Sequence, residues 1–125
     1  MAKVVTTGLT IANVPFGDTV KAGELVGWSN GKLVKACGVS SGPIPAIGVA
    51  AASYQSDELG AVHLAGEVSG FTDLVAGDTQ YLSLSAPGDI QSIPPSGAGS
   101  LMQVVGYAVA SDRLVVAIRD GGSYL

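Results

Sequence analysis

Apolar and polar residues along this chain follow the pattern of strands rather than helices. Residues 80–85 alternate, residues 46–52 form a continuous small-apolar run, and the three- and four-residue apolar spacing of a helix is almost absent. Turn residues divide these stretches at intervals of about 8–12 residues, which is typical of β-sandwiches and small barrels. The connections are too short for helical crossovers. We therefore predict an all-β fold, a small barrel or sandwich of about nine to ten short, mainly antiparallel strands.

The strongest local signal is a β-hairpin around Asn30 and Gly31. Apolar residues 25–28 precede the Ser29-Asn30-Gly31 sequence, and the alternating residues 32–36 follow it. Asn-Gly readily adopts the positive φ angles of a tight primed turn, so the two flanking strands are predicted to pair across it.

One β-rich segment occurs twice in the chain. Residues 20–26 and 74–82 open the two copies, and glycines recur at nearly constant separations: Gly23 with Gly77, Gly31 with Gly88 and Gly48 with Gly106. Each copy is too short to bury a core alone, but two copies can share one. We therefore expect one domain over residues 1–125, built from two related halves. Its expected parts are an N-terminal arm at 1–10, repeat halves at about 18–70 and 71–119, and a C-terminal tail at 120–125, mobile or docked on a neighbour.

Composition mainly excludes classes of protein. Hydrophobic residues make up 47% of the 125 residues, charged residues only 13%, and the net charge is −4 with the basic residues dispersed. Nucleic-acid binders cluster their basic residues, so no nucleic-acid partner is expected. The low charge density predicts that another protein covers part of the surface. No apolar run approaches the roughly 20 residues of a membrane span, and the N-terminus lacks the core of a signal peptide, so we expect a cytoplasmic site of synthesis and no membrane partner.

The single cysteine and the single histidine offer little chemistry. Cys37 can form neither an internal disulfide nor a metal site by itself, and it is interpreted as a small buried residue near a strand end. A reactive thiol is the alternative, and it requires a nearby base such as His63.

Other candidate motifs fit ordinary turns better than catalysis. The pairs Asp57 with Glu58 and Asp73 with Asp78 could supply the two carboxyls of a glycosidase, but all four lie in predicted turns, where carboxylates are normally solvated. Residues 97–100 partly match a phosphate-binding loop but lack its lysine and the helix that should follow. We therefore predict no catalytic, cofactor-binding or metal-binding residue, and no enzymatic activity.

Residues 17–26 resemble the opening of biotinyl and lipoyl carrier domains. Those domains present a modified lysine at a hairpin tip, flanked by Met or by Asp and Ala, whereas no Met flanks Lys32 here. A plain β-turn is the favoured interpretation. A carrier domain modified at Lys32 or Lys35 remains an alternative.

Two longer stretches resemble virion proteins. Residues 31–36, 46–51 and 61–68 are similar to segments of the head decoration proteins of tailed bacteriophages, including the lambda type, and residues 81–90 with 103–110 are similar to a segment common in phage head-surface and fibre proteins. The resemblance runs from about Ala22 to Ile118, and glycine, alanine and valine carry most of it.

This resemblance implies a non-enzymatic cement protein, usually a homotrimer, on the outer surface of an icosahedral capsid. The implied partner is the major capsid protein, and the implied location is the virion. Lambda-type decoration proteins use an N-terminal arm that orders on the shell, and residues 2–7 are a short, β-prone candidate that could add a strand to a capsid sheet. The resemblance does not identify the contact residues. A head-fibre base or a tail-surface protein is the alternative within virions.

Overall fold

The computed structural model describes residues 4–6, 9–118 and 123–125, and it is all-β, as predicted. Within these residues thirteen strands occur. The number exceeds the prediction because strands also form near both termini and because residues 101–110 form two strands, divided at Gln103, rather than one. The strands are β1 (Val4–Thr6), β2 (Thr10–Pro15), β3 (Leu25–Ser29), β4 (Lys32–Lys35), β5 (Gly48–Ala50), β6 (Leu59–His63), β7 (Ala65–Ser69), β8 (Thr79–Leu82), β9 (Ile90–Gln91), β10 (Leu101–Met102), β11 (Val104–Ala110), β12 (Arg113–Ala117) and β13 (Ser123–Tyr124).

The strands form three antiparallel sheets. The five-stranded sheet has the order β2-β6-β5-β3-β4, the six-stranded sheet has the order β1-β7-β12-β11-β8-β9, and β10 pairs with β13. With β1 set aside, the second order repeats the first: β7 stands for β2, β12 for β6, β11 for β5, β8 for β3 and β9 for β4. The two copies of the sequence therefore fold into sheets of the same topology.

Strand register places the third repeated glycine of each copy at the same point. Gly48 in β5 lies opposite Val26 in β3. In the second copy, Gly106 in β11 lies opposite Gln80 in β8. Val26 and Gln80 are therefore equivalent positions, one apolar and one polar.

The turns that precede β3 and β8 also match. The backbone N–H of Gly23 donates to the carbonyl of Ala50 at 2.9 Å, and that of Gly77 donates to the carbonyl of Ala108 at 2.8 Å. In each half, this bond joins the turn to the strand that pairs with the strand leaving the turn. The two halves therefore repeat the local geometry as well as the strand order.

The Asn-Gly hairpin forms as predicted. Ser29 pairs with Lys32 across the turn, and Asn30 and Gly31 have φ angles of 51° and 77°. Two consecutive positive φ angles define the primed turn whose twist matches that of paired strands.

Two apolar clusters form the core. The first lies on the inner face of the five-stranded sheet, within the first half: Val14, Phe16, Val20, Val26, Leu33, Ala50 and Val62. The second combines the inner face of the six-stranded sheet with the outer face of the five-stranded sheet. The second half supplies Val68, Val105, Leu114 and Val116 to it, and the first half supplies Leu25, Ala36 and Val49. The halves therefore pack head to tail, with the outside of one covering the inside of the other.

The first half closes on itself along a seam between β2 and β4. Phe16, directly after β2, forms a parallel bridge with Leu33 in β4, and the N–H of Gly17 donates to the Leu33 carbonyl at 2.8 Å. The phenyl ring of Phe16 lies against the Tyr54 ring, with the two centroids 4.7 Å apart. This short contact joins the edge strands β2 and β4. The five-stranded sheet is therefore partly closed, but it is not a complete barrel.

The boundary between the halves differs from the expected one at residue 70. The five-stranded sheet begins with β2, and β7 already belongs to the six-stranded sheet, so the chain changes sheets at Leu64. The alternation that would mark β2 as a strand is interrupted by a bulge between Ile11 and Val14, where Asn13 has a φ of 58°. A bulge shifts the side-chain period by one residue, which hides a strand from a pattern of alternation.

Both chain ends are partly incorporated in the fold. In the expected arm, Val4–Thr6 pairs with β7, while residues 1–3, 7 and 8 lie outside the described residues. In the expected tail, β13 pairs with β10, and the N–H of Leu125 donates to the Ser100 carbonyl at 2.9 Å. The expectation of a tail that is mobile or docked on a neighbour is therefore wrong for residues 123–125, which pair with their own chain; residues 120–122 lie outside the described part.

Candidate functional site

Cys37 occupies a buried position with its thiol already bonded. Its side chain is 6% exposed, and Sγ lies 3.4 Å from the carbonyl oxygen of Ser83 and 3.5 Å from that of Leu84. His63 bonds elsewhere, with Nδ1 2.6 Å from the Thr10 hydroxyl. The geometry agrees with the interpretation of Cys37 as a small packing residue and gives it no basic partner in His63.

The carboxylates of Asp57 and Glu58 have different partners, one in the neighbouring hairpin and one in their own turn. Glu58 Oε1 accepts from the N–H of Gln55 at 2.8 Å, and Asp57 Oδ1 accepts from Lys32 Nζ at 2.8 Å. The hydrogen bond and the charge of the Lys32 ammonium lower the pKa of Asp57 below its ordinary value. Lys32, the lysine of the carrier alternative, lies directly after the hairpin turn and is held there in an exposed ion pair.

Removing the Lys32 charge should raise the pKa of Asp57. In the wild-type protein the pair stabilises the fold fully above the ordinary pKa of the carboxyl, and that contribution is lost as the pH falls through the lowered pKa of the folded state. Lys32→Met should remove this acid-dependent contribution, and the loss should be small because both groups are exposed. An NMR titration of the Asp57 carboxyl tests it, with the exposed Lys21→Met as control. An unchanged pKa in Lys32→Met would contradict the assigned pair.

Asp73 and Asp78 do not share a site. Asp73 lines a cleft described below, whereas Asp78 lies in the turn before β8, where its N–H donates to the Val75 carbonyl at 3.0 Å. The second carboxylate at that cleft is Asp89, which the sequence pattern did not single out because it occupies an ordinary-looking turn. The glycine-rich residues 97–100 form an exposed loop that leads into β10 rather than into a helix.

The outer face of the six-stranded sheet is the first of two candidate binding surfaces. Glu67, Val115, Tyr107 and Thr79 lie opposite one another on consecutive strands, and paired residues in a sheet point to the same side. Tyr107 is 46% exposed, and the guanidinium of Arg113 lies 3.3 Å from the Glu67 carboxylate. We call this row of four residues the outer row.

The equivalent row of the five-stranded sheet is Thr10, His63, Val49 and Leu25, and only its second pair is covered. There, Val49 stands for Tyr107 and Leu25 for Thr79, and both are 1% exposed within the shared core. The first half thus buries, against the second half, the positions that correspond to Tyr107 and Thr79, whereas Thr10 is exposed and His63 is half-buried.

The second feature is a cleft of about 390 Å³ in the second half. Residues 70–74 form one wall, residues 89–92 form the other, and Gln80 lies between them. Phe71 follows β7 as Phe16 follows β2, and its N–H likewise bonds to the turn before the neighbouring strand, at 3.2 Å from the Asp112 carbonyl. The cleft therefore occupies the seam that Phe16 and Leu33 close in the first half.

Gln80 is the unusual residue of this cleft. It is fully buried, its Oε1 accepts from the Ser92 hydroxyl at 3.1 Å, and its Nε2 has no hydrogen-bond partner among the described residues. Buried amide donors are nearly always bonded, because a lone one costs about 1–3 kcal/mol. The sequence contained one usable signal, since Gln80 replaces the apolar residue at the repeat position of Val26.

Other site types find no support in the part of the chain that the structure describes. No group of three or more His, Cys, Asp or Glu side chains there could hold a metal ion. None of the described segments is a helix long and apolar enough to cross a membrane. No family model matches the chain, and no curated protein matches it. The two surface features above are therefore the basis for a functional assignment.

Proposed function

We propose that this protein is a capsid decoration protein of a tailed bacteriophage. It would bind the outer surface of the assembled shell as a homotrimer, through contacts with the major capsid protein, and stabilise the shell without catalysis. The observation that carries the proposal is the outer row of the six-stranded sheet, where Tyr107 is exposed although its counterpart Val49 in the other half is buried. The resemblance of residues 22–118 to virion proteins supplies the identity of the partner.

The outer row has the composition of a protein-binding surface. Tyr107 is large and half-exposed, Val115 lies beside it in the sheet, and the Arg113–Glu67 ion pair lies at one side. Tyrosine is enriched among the residues that dominate binding energy, and a polar rim around an apolar centre is common in interfaces. In the first half, Val49 and Leu25 at the positions equivalent to Tyr107 and Thr79 pack against apolar residues of the second half.

A small acidic protein can stabilise a capsid by binding to its assembled surface. A protein that binds only the assembled lattice adds its binding free energy to the free energy of shell rupture, by mass action. In a trimer, simultaneous engagement of three subunits raises avidity well beyond that of one contact. The dispersed basic residues and the net charge of −4 favour protein surfaces over packaged DNA.

The N-terminal arm has a smaller part in this proposal. The backbone of Val4–Thr6 is paired with β7, so using this segment to extend a capsid sheet would require the pairing to be broken. We therefore assign binding to the outer row and not to strand addition by the arm.

Adding the protein back to shells stripped of it should raise the temperature at which they release DNA. Tyr107→Ser should weaken binding by about 2 kcal/mol, roughly thirty-fold, because it removes the central aromatic group of the outer row. Trp28→Ser is the matched control, since Trp28 is 47% exposed but lies on the five-stranded sheet. Binding is measured by co-sedimentation with expanded shells, and the trimer by sedimentation of the free and the bound protein.

Three results would overturn parts of this proposal. Equal release temperatures at full occupancy would remove the stabilising role and favour a head-fibre base or tail-surface protein. A loss of binding in Trp28→Ser but not in Tyr107→Ser would move the contact to the other sheet. An intact mass that reveals a biotinyl or lipoyl group on Lys32 or Lys35 would establish a carrier domain instead.

A further inference from the structure

The open seam of the second half has the features of a ligand site. Its first-half counterpart is filled by chain, with Phe16 bridged to Leu33 and the apolar Val26 beneath them. In the second half the seam is a cleft, and Gln80 replaces the valine at the position beneath it. The second half therefore lacks packing that the first half retains, and the Nε2 of the buried amide below its seam has no partner among the described residues.

The polar groups of the cleft restrict the chemistry of an occupant. The Nε2 of Gln80 has N–H donors without an acceptor among the described residues, whereas the acidic residues of the lining, Asp73 and Asp89, carry carboxylates, which only accept. One oxygen of Asp89, Oδ1, already accepts from the N–H of Ile90 at 2.8 Å, which leaves Oδ2 for a ligand. An anion could satisfy Gln80 but would be repelled by the carboxylates, and a cation could satisfy the carboxylates but not Gln80. A hydroxyl group both donates and accepts, so a neutral polyhydroxylated molecule satisfies both.

The remaining lining and the size of the cleft point the same way. Phe71, Leu74 and Ile90 provide apolar surface beside the polar groups, as the C–H faces of a sugar ring require. The volume of about 390 Å³ suits a mono- or disaccharide.

We propose that the cleft between residues 70–74 and 89–92 binds a neutral saccharide, with Gln80 Nε2 donating to a ring or hydroxyl oxygen and Asp73 and Asp89 accepting from hydroxyls. Because Gln80 Nε2 is not accessible to solvent, a residue at the edge of the cleft must move slightly before a sugar can reach it. The exposed Ser92, which is bonded to Gln80 Oε1, is the part that we expect to move. This activity is separate from shell binding, because it uses the seam and not the outer row.

The side-chain amide of Gln80 provides a direct readout of binding. In ¹H–¹⁵N NMR spectra of the full chain, titration with neutral mono- and disaccharides should shift the Gln80 Nε2 protons and the amides of residues 70–74 and 89–92, saturably. N-acetylneuraminic acid, an anionic sugar, and glucosamine, a cationic one, should each bind at least about ten-fold more weakly than the best neutral sugar. Gln80→Leu should weaken binding at least about ten-fold, and Asp78→Asn, outside the cleft, should leave it unchanged.

Several outcomes would overturn the proposal. Suppose that no neutral sugar gives a saturable shift and that the contact between water and the Gln80 amide protons is the same with and without sugar. The cleft would then hold an ordered water only. Tighter binding of glucosamine would indicate a cationic ligand. Undiminished sugar binding in Gln80→Leu, with a folded spectrum, would place the sugar elsewhere.

Discussion

Gly106→Ala should lower the free energy of unfolding by about 3 kcal/mol, among the largest effects of any single methyl group in this protein. A Cβ atom on Gly106 would lie 2.0 Å from the carbonyl oxygen of Val115 on the neighbouring strand. The obstacle is backbone, so no side-chain rotation relieves it, and β11 and β12 would have to separate at the centre of the six-stranded sheet. Chemical denaturation of the purified variant measures the effect.

Two further alanine variants make this prediction specific. Gly48→Ala, at the equivalent position, places its Cβ 2.5 Å from the His63 carbonyl oxygen and should also destabilise the fold, by a somewhat smaller amount. Gly42 has nothing within 4 Å of a Cβ, so Gly42→Ala should change stability by less than about 0.5 kcal/mol. Equal unfolding midpoints for the Gly106 and Gly42 variants would disprove the close strand contact.

Gln103→Leu should be comparably damaging, by about 3 kcal/mol, because it leaves two buried backbone groups without partners. Gln103 is fully buried. Its Oε1 accepts from the N–H of Ala46 at 2.8 Å, and its Nε2 donates to the Ala46 carbonyl at 2.9 Å. The side chain thus bonds both polar groups of one first-half residue and joins the two halves where strand β10 ends.

The same substitution at Gln80 should have the opposite sign. Gln80 is equally buried, but its Nε2 has no partner in the part of the chain that the structure describes. The hydroxyl from which its Oε1 accepts belongs to the exposed Ser92, which water can satisfy. Gln80→Leu should therefore raise the free energy of unfolding by about 1 kcal/mol. Thermal and urea denaturation of the two leucine variants side by side measures both effects. Destabilisation of the Gln80 variant by as much as the Gln103 variant would show that Nε2 has a partner in solution.

Local sequence signals were sufficient for much of the fold. The Asn30-Gly31 turn requires positive φ angles, and positions 48 and 106 leave no room for a Cβ atom. Few residues meet either requirement, so the residues alone reveal these features. The all-β class followed from the absence of helical spacing.

Features that depend on tertiary contacts were not predictable in this way. The bulge at Asn13 concealed β2, and the pairing of β13 with β10 depends on partners far apart in sequence. Sequence spacing also paired the wrong carboxylates: Asp73 lies at the cleft with Asp89 and not with Asp78, because the β8–β9 hairpin brings residue 89 across the seam. The exposure of Tyr107 depends on how the halves pack, which no local pattern encodes.

The passage of the chain from one sheet to the other at Leu64 also defines a place to divide the protein. A single cut there would leave β2–β6 in one fragment and β7–β13 in the other, so that apart from β1 each fragment keeps all the strands of its own sheet. Each fragment would expose one side of the shared core, Leu25 and Val49 on the first, Val68 and Leu114 on the second. These surfaces are complementary, so the two pieces should reassemble when mixed, and the protein should serve as a split reporter whose signal depends on their association.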